Sequence, residues 1–197
     1  MIQKDDKQLK TRIITEDSSS FCDMTFLPYM DSILAIDTKG KMVLHDYLDE
    51  KEINTTLDEL VNNEISRYQW STIQSHQKSV FLARIGTRKQ ILLYDVRKQN
   101  VVEKLFNLEQ GELCGNFTQS QHSPYQMYMT TNLRTILIDE RFVRKPMTVW
   151  YHANIGKREK IPHGILSHYI PNEKYVLLMF GVGKCSTYII FYNLFFK

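Results

Sequence analysis

The sequence predicts an all-β protein of β-propeller type, with about four blades present and a short helical insertion. Four segments share one design, in which two short apolar runs flank a polar turn and the second run ends in Asp or Asn. The residues that end these segments are Asp46, Asp95, Asp139 and Asn193, at intervals of 49, 44 and 54 residues. This spacing is close to the roughly 40 to 50 residues of a propeller blade.

Each blade is expected to be an antiparallel sheet with one strand before the repeated hairpin and one after it. The predicted blades, in chain order, are residues 21–54, 68–107, 112–152 and 163–197. Residues 1–20 form a predicted N-terminal tail. The fourth repeat reaches Lys197 before a complete outer strand, which predicts a partial or truncated propeller.

Residues 55–66 interrupt the blade pattern. Leu57, Leu60 and Val61 stand at helical spacing, which predicts a short amphipathic helix inserted between the first two blades. A plain linker with scattered apolar residues is the alternative. If the helix forms, these three residues are a candidate docking element for a partner.

The composition is that of a globular protein, with 43% apolar, 12% aromatic and 24% charged residues. A net charge of +3 spread along the chain neither requires nor excludes a nucleic-acid partner. The three cysteines are not paired as C-x-x-C, which favours a reducing compartment. No apolar run is long enough for a signal peptide or a membrane span, so cytosol or nucleus is expected, without a membrane partner.

No pattern in the sequence predicts covalent chemistry. The six histidines are dispersed and no metal-ligand spacing accompanies them. A G-x-S-x-G nucleophile motif is missing, and a phosphate loop around Gly183 and Lys184 would need glycine where Leu178 stands. We therefore expect a non-enzymatic protein with no cofactor, no metal and no small-molecule substrate.

The most distinctive stretch is TNLRTILIDERFVRKPMTVWYH, residues 131–152. It resembles the propeller of the TBP-associated propeller subunit of the RNA polymerase I selectivity factor, whose yeast counterpart is the propeller subunit of core factor. The matching positions are Asp139, Arg141, Pro146, Trp150 and His152. Asp139 and Arg141 are expected on one side of a strand, Pro146 at a strand start and Trp150 as a large apolar contact.

The resemblance implies a subunit of the promoter-recognition complex for ribosomal RNA genes, located in the nucleus and nucleolus. Its partners would be TBP and polymerase I factors, and contacts with promoter DNA would be shared among the subunits. Its mechanism would be assembly, because the motif residues look like builders of a blade or binders of a partner.

A second resemblance involves Asp95 and Arg97, in the run Tyr94-Asp95-Val96-Arg97. This run is similar to the end of the box found in WD-repeat substrate receptors of cullin ubiquitin ligases, where the arginine would contact the ligase adaptor. Asp139 and Arg141 form a second Asp-x-Arg. In ordinary propellers such an Asp caps a turn and the Arg pairs with it, so an unrelated interaction scaffold is a third alternative.

Overall fold

The computed structural model describes residues 21–27, 30–37, 40–46, 48, 51–57, 71–121, 123–142, 145–151, 165–170, 175–182 and 186–193. For residues 51, 52, 71 and the last three ranges, the backbone alone is described.

The described residues form antiparallel sheets joined by turns, with one short 3-10 turn at Glu140–Phe142. The first sheet contains β1 (Phe21–Leu27), β2 (Ser32–Asp37), β3 (Lys41–Asp46) and β4 (Lys51–Thr56). The second contains β5 (Ser71–Ser75), β6 (Leu82–Thr87), β7 (Gln90–Asp95) and β8 (Asn100–Asn107). The third contains β9 (Cys114–Gln119), β10 (Gln126–Thr131), β11 (Arg134–Asp139) and β12 (Thr148–Tyr151). The fourth contains β13 (Ile165–Ile170), β14 (Tyr175–Val182) and β15 (Ser186–Asn193).

The all-β prediction is confirmed. In every sheet the strands are hydrogen-bonded in chain order, and the four repeated segments form the hairpins β2–β3, β6–β7, β10–β11 and β14–β15. The repeat was visible because alternating apolar residues and polar turns are local signals.

The first two residues of the predicted insertion belong to the first sheet. Thr55 and Thr56 belong to β4, because they pair with Met42 and Lys41 of β3 and backbone pairing to a formed strand extends the sheet. Residues 58–66 and the predicted tail at 1–20 lie outside the described residues.

The first sheet packs on the second, and the second on the third, and the two contacts enclose two apolar cores. Leu34, Ile36 and Met42 of the first sheet pack with Ile85 and Leu92 of the second. Between the second and third sheets, the core contains Ile91, Leu105, Phe117, Met127, Met129, Ile136 and Ile138. Full burial of an aliphatic or aromatic side chain contributes roughly 1.5–3 kcal/mol, so these two contacts hold the first three sheets together.

The second and third sheets approach each other closely at Gly86 in β6. A Cβ atom there would lie 2.5 Å from Cε1 of Phe117 and 3.0 Å from Cγ2 of Thr72. Real Cβ atoms do not come this close, so glycine is required for the ring of Phe117 to lie against the second sheet.

The first strands of the sheets lie beside one another: β1 contacts β5, β5 contacts β9, and β9 contacts β13. Side chains of β1 bind the backbone of β5. The Asp23 carboxylate accepts a hydrogen bond from the Ile73 amide at 3.0 Å, and the Thr25 hydroxyl accepts one from the Ser75 amide at 3.3 Å. The first sheet is thereby joined to the second at both its core and its first strand.

Candidate protein-interaction surface

Three turns of the same kind lie where the third strand of a sheet turns into the fourth. Each begins with an aspartate at the end of its strand: Asp46, Asp95 and Asp139. The Oδ1 atoms of these residues accept a hydrogen bond from the backbone amide two residues later, at 2.9, 2.9 and 3.1 Å. An aspartate that binds its own backbone two residues on is a common turn device, so the recurring aspartates serve the turns.

In the second and third sheets an arginine completes the turn. Arg97 Nη2 lies 3.3 Å from Asp95 Oδ2, and Arg141 Nη2 lies 2.7 Å from Asp139 Oδ2. Both carboxylates are buried, whereas the Arg97 and Arg141 side chains are 56% and 52% exposed. Each guanidinium therefore binds a buried carboxylate and still presents about half of its surface to solvent.

An aromatic ring lies under each guanidinium. The Arg97 guanidinium is 4.0 Å from the centre of the Phe81 ring, and that of Arg141 is 4.8 Å from the Tyr125 ring. Cation–π contacts of this kind contribute about 0.5–1 kcal/mol at exposed sites. The two arginines are held in place by a carboxylate and a ring, which reduces their conformational freedom before any partner binds.

The backbone around the two turns is also equivalent. The Val96 amide donates to the Phe81 carbonyl at 2.8 Å, and the Glu140 amide donates to the Tyr125 carbonyl at 2.9 Å. The first sheet differs, because Leu48 holds the place of the arginine. The Asp-x-Arg turn is thus a feature of the second and third sheets among the described residues.

The electrostatics of the two turns agree with their geometry. The hydrogen bond from Arg141 is the main cause that holds the pKa of Asp139 below its usual value, against the opposing effect of burial. Burial alone would raise the pKa of Asp95, but the hydrogen bonds from Arg97 and the Lys98 amide outweigh burial and hold this pKa below its usual value. Both aspartates are therefore charged at neutral pH and keep their arginines paired.

Exposed apolar side chains lie in the first of these turns, at Leu48, and beside the third, at Phe142 and Met147. We call the residues Arg97, Arg141, Leu48, Phe142 and Met147, which lie at or beside the equivalent turns of their sheets, the turn edge. Leu48, Phe142 and Met147 are 68%, 66% and 39% exposed. Arginine together with exposed apolar side chains is the composition of protein-binding surfaces, so the turn edge is the candidate interaction surface.

A buried polar cluster lies behind the turn edge and joins the second sheet to the third. The Arg84 side chain is fully buried, and its Nε and Nη2 donate to Glu140 Oε2 at 3.0 and 2.8 Å. The Nη2 atom also donates to the Pro124 carbonyl at 2.7 Å. Among the described residues, Nη1 of Arg84 has no hydrogen-bond partner.

His76 completes this cluster. Its Nδ1 accepts a hydrogen bond from the Lys78 amide at 3.1 Å, which leaves Nε2 to donate to Glu140 Oε1 at 2.6 Å. Burial alone would raise the pKa of Glu140, but the hydrogen bond from His76 and the charge of Arg84 together lower it. Glu140 is thus a charged bridge that fixes the third sheet, and with it Arg141, against the second.

A second buried pair lies at the opposite end of the third sheet. Arg134 donates from Nε and Nη2 to the two carboxylate oxygens of Glu112, each at 2.8 Å, and Thr131 donates to Glu112 Oε1 at 2.7 Å. Glu109, which is 77% exposed, is a further partner of Arg134. This pair connects β11 to the segment before β9, so its role is to stabilise the third sheet.

The residues of the 131–152 motif are divided between two places. Asp139 ends β11, but Arg141 lies in the 3-10 turn rather than on the strand, because the chain turns directly after Asp139. The expectation that both lie on one side of a strand was wrong, although the two residues are in contact. Pro146 precedes β12 and is half-buried, and Trp150 of the outer strand β12 pairs with Thr135 of β11.

The last residues to locate are the three of the predicted docking element and His152 of the motif. Leu57 is 2% exposed and belongs to the core between the first and second sheets, so its side chain is not available for docking. Leu60, Val61 and His152 lie outside the described residues. The docking hypothesis for the insertion therefore depends on Leu60 and Val61.

Neither the buried cluster nor its partners could have been identified from local sequence. His76 and Arg84 are 64 and 56 residues from Glu140, and the only signal was a charged residue inside the apolar run FLARIG. A lone arginine in such a run indicates a buried partner elsewhere, but it does not identify that partner.

Within the described ranges, no group of three or more His, Cys, Asp and Glu residues is arranged to hold a metal ion. The same part of the chain has no helix that is long and apolar enough to cross a membrane. Neither the comparison with protein-family models nor that with curated proteins found a match to this chain.

Proposed function

We propose that this chain is a non-enzymatic β-propeller scaffold in the complex that recognises the promoters of ribosomal RNA genes for RNA polymerase I, in the nucleolus. The observation that carries the proposal is the resemblance of residues 131–152 to the TBP-associated propeller subunit of the selectivity factor. Its partners are TBP and polymerase I factors, and its contacts with promoter DNA are shared with those subunits.

The sheet arrangement supports the propeller part of the proposal. Four-stranded antiparallel sheets follow one another along the chain, pack face to face, and place their first strands side by side. A propeller is built in this way, with the first strand of each blade nearest the central axis.

The geometry of the motif supports the scaffold part. Asp139 and Arg141 form a rigid turn, and Phe142, next to them, is 66% exposed. An arginine fixed by a buried carboxylate beside an exposed aromatic ring has the features of a binding hot spot. Assembly requires such fixed contact points and does not require a catalytic group.

The test is affinity purification of the tagged full chain from nuclear extract, followed by mass spectrometry. Two variants are compared with the unchanged chain: Phe142→Ala, which removes an exposed ring from the turn edge, and Tyr151→Ala as its matched control. Tyr151 is 72% exposed and lies on the outer strand β12, so both substitutions remove an exposed aromatic ring.

Recovery of TBP and polymerase I factors, reduced by Phe142→Ala and retained by Tyr151→Ala, is the expected result. Failure to recover any polymerase I factor with the unchanged chain contradicts the proposed complex. Equal recovery with both variants contradicts the turn edge as the binding surface.

A second candidate function is that of a WD-repeat substrate receptor of a cullin ubiquitin ligase. The repeated Asp-x-Arg turn favours it, because Arg97 and Arg141 occupy equivalent positions in adjacent sheets and both are half-exposed. Replacement of both arginines by glutamine, rather than by an acidic residue, avoids setting two carboxylates against each other. Recovery of the cullin adaptor by the unchanged chain, lost in this double variant, would support the ligase function over the transcription function.

A further inference from the structure

One face of the first sheet packs on the second sheet. We call the opposite face of the first sheet the outer face. In the strand register, Met24 and Phe26 of β1 lie opposite Ala35 and Ile33 of β2, and Val43 of β3 also lies opposite Ala35. Met24 is 61% exposed and Phe26 is 66% exposed, whereas Val43 is buried and Ile33 and Ala35 are half-buried. The exposed apolar side chains of this face are therefore the two on β1, and neighbouring exposed apolar side chains mark a contact surface.

The internal repeat identifies the equivalent face of the second sheet, and that face is covered by a neighbouring sheet. Val43 stands three residues before Asp46, as Leu92 stands three residues before Asp95. Leu92 is fully buried in the core that the second sheet forms with the first. The outer face therefore corresponds to the face by which the second sheet packs on the sheet that precedes it.

The surface that would pack on the outer face can be located on the fourth sheet by the same comparison of repeats. Ile91 of β7 belongs to the core that faces the third sheet, and Leu93 packs against it. In β15, Ile189 and Phe191 stand at the same distances before Asn193 as Ile91 and Leu93 stand before Asp95. The register also agrees, because Asn193 pairs with Tyr175 at the start of β14, as Asp95 pairs with Leu82 at the start of β6. The fourth sheet thus has apolar residues at the positions that pack on an outer face.

We propose that two copies of this chain associate through these surfaces, with the fourth sheet of each copy packed on the outer face of the first sheet of the other. Within one copy β1 lies beside β5, and β13 lies beside β9 and β10, so the first and fourth sheets are the two ends of an arc. When a two-fold axis relates two copies, the fourth sheet of each copy meets the first sheet of the other, so both contacts form together. The result is a closed ring of eight sheets, a number found in propellers.

The size of the contact fits a stable dimer. Four strands of six residues, or three strands of six to eight residues, at about 3.3 Å per residue and about 4.8 Å between strands, give a sheet face of roughly 300–400 Å². The dimer has two such contacts with two faces each, which gives a total buried area of roughly 1,200–1,600 Å². This is the range of specific protein interfaces. The proposal concerns self-association and does not depend on the proposed role in transcription.

The experiment is sedimentation equilibrium of the full untagged chain over a concentration series. The monomer has a mass of 23.3 kDa, and the expected species has twice that mass with no larger assembly. Phe26→Lys places a charge on the outer face, and Tyr151→Lys is its matched control, because the two rings are 66% and 72% exposed and Tyr151 lies on β12 of the third sheet, outside the proposed contact. Phe26→Lys is expected to raise the dissociation constant by at least ~30-fold, with Tyr151→Lys close to the unchanged chain.

Circular dichroism of the three proteins shows that a change in mass is not caused by unfolding. A species of 23.3 kDa at every concentration overturns the proposal. A series of larger assemblies overturns the closed pair, since contacts that do not close produce open chains. A dimer that Phe26→Lys leaves intact, or that both variants dissociate equally, overturns the assignment to the outer face.

Discussion

The ring of Phe117 in β9 lies directly over Gly86 in β6, so close that a Cβ at position 86 would be 2.5 Å from Cε1 of that ring. This contact joins the inner part of the second sheet to the third. It explains why a strand that is otherwise rich in β-branched and apolar residues contains a glycine, which is normally unfavourable there.

Gly86→Ala is therefore expected to lower the free energy of unfolding by about 1–3 kcal/mol, the usual cost of overpacking a core. Urea denaturation followed by circular dichroism measures it. Phe117→Leu will also destabilise the protein, but Gly86→Ala should cost less in that background than in the unchanged chain, because the smaller side chain leaves room. Equal costs in the two backgrounds would show that the ring does not cause the effect.

Glu140→Gln is expected to destabilise the protein by about 3–5 kcal/mol, because it leaves the fully buried Arg84 without its counter-charge. Glu109→Gln is the matched control. Glu109 also pairs with an arginine at 2.8 Å but is 77% exposed, so its loss should cost no more than about 1 kcal/mol. Similar losses in the two variants would contradict a structural role for the buried cluster.

Acid should destabilise the protein in part through Glu112. Burial acts to raise the pKa of this carboxyl, but the hydrogen bonds from Arg134 and Thr131 outweigh it and lower the pKa in the folded state. A folded-state pKa below the unfolded value of about 4.3 adds stability above that pH, and the stability is lost as the pH falls through the folded value.

Urea unfolding between pH 7 and pH 3 can isolate this contribution. Glu112→Gln should be less stable than the unchanged chain at pH 7, and the difference should shrink as the pH falls below about 4. A difference that stays constant with pH would mean that the charge of Glu112 does not stabilise the fold.

The Cys114 thiol should resist alkylation in the native protein. The side chain is fully buried, and burial raises its pKa to about 12, so very little reactive thiolate exists at pH 8. Iodoacetamide labelling with peptide mass spectrometry should modify Cys114 only after denaturation. Cys22, which is half-buried, provides the comparison within the same chain, and rapid native labelling of Cys114 would contradict its place in the core.

The hairpins and the recurring aspartates could be predicted from the sequence, because both depend on residues within a few positions of each other. Asp95 and Arg97 could be paired from their spacing alone. Sequence reasoning failed at Leu57, which stands at helical spacing beside Leu60 but is buried between two sheets, since periodicity does not show which surface covers a residue. It also could not connect His76 with Glu140, because that contact exists only after two sheets have packed.

The hydrogen bonds that β1 makes to β5 have a consequence for how the protein avoids unwanted pairing. An unpaired strand edge offers a row of backbone amides that another extended chain can use to continue the sheet. On β5, the amides of Ile73 and Ser75 are instead bound by the side chains of Asp23 and Thr25. A strand edge whose donors are already used by side chains cannot template a further strand, so the contact between two sheets also protects the inner edge of the second sheet from aggregation.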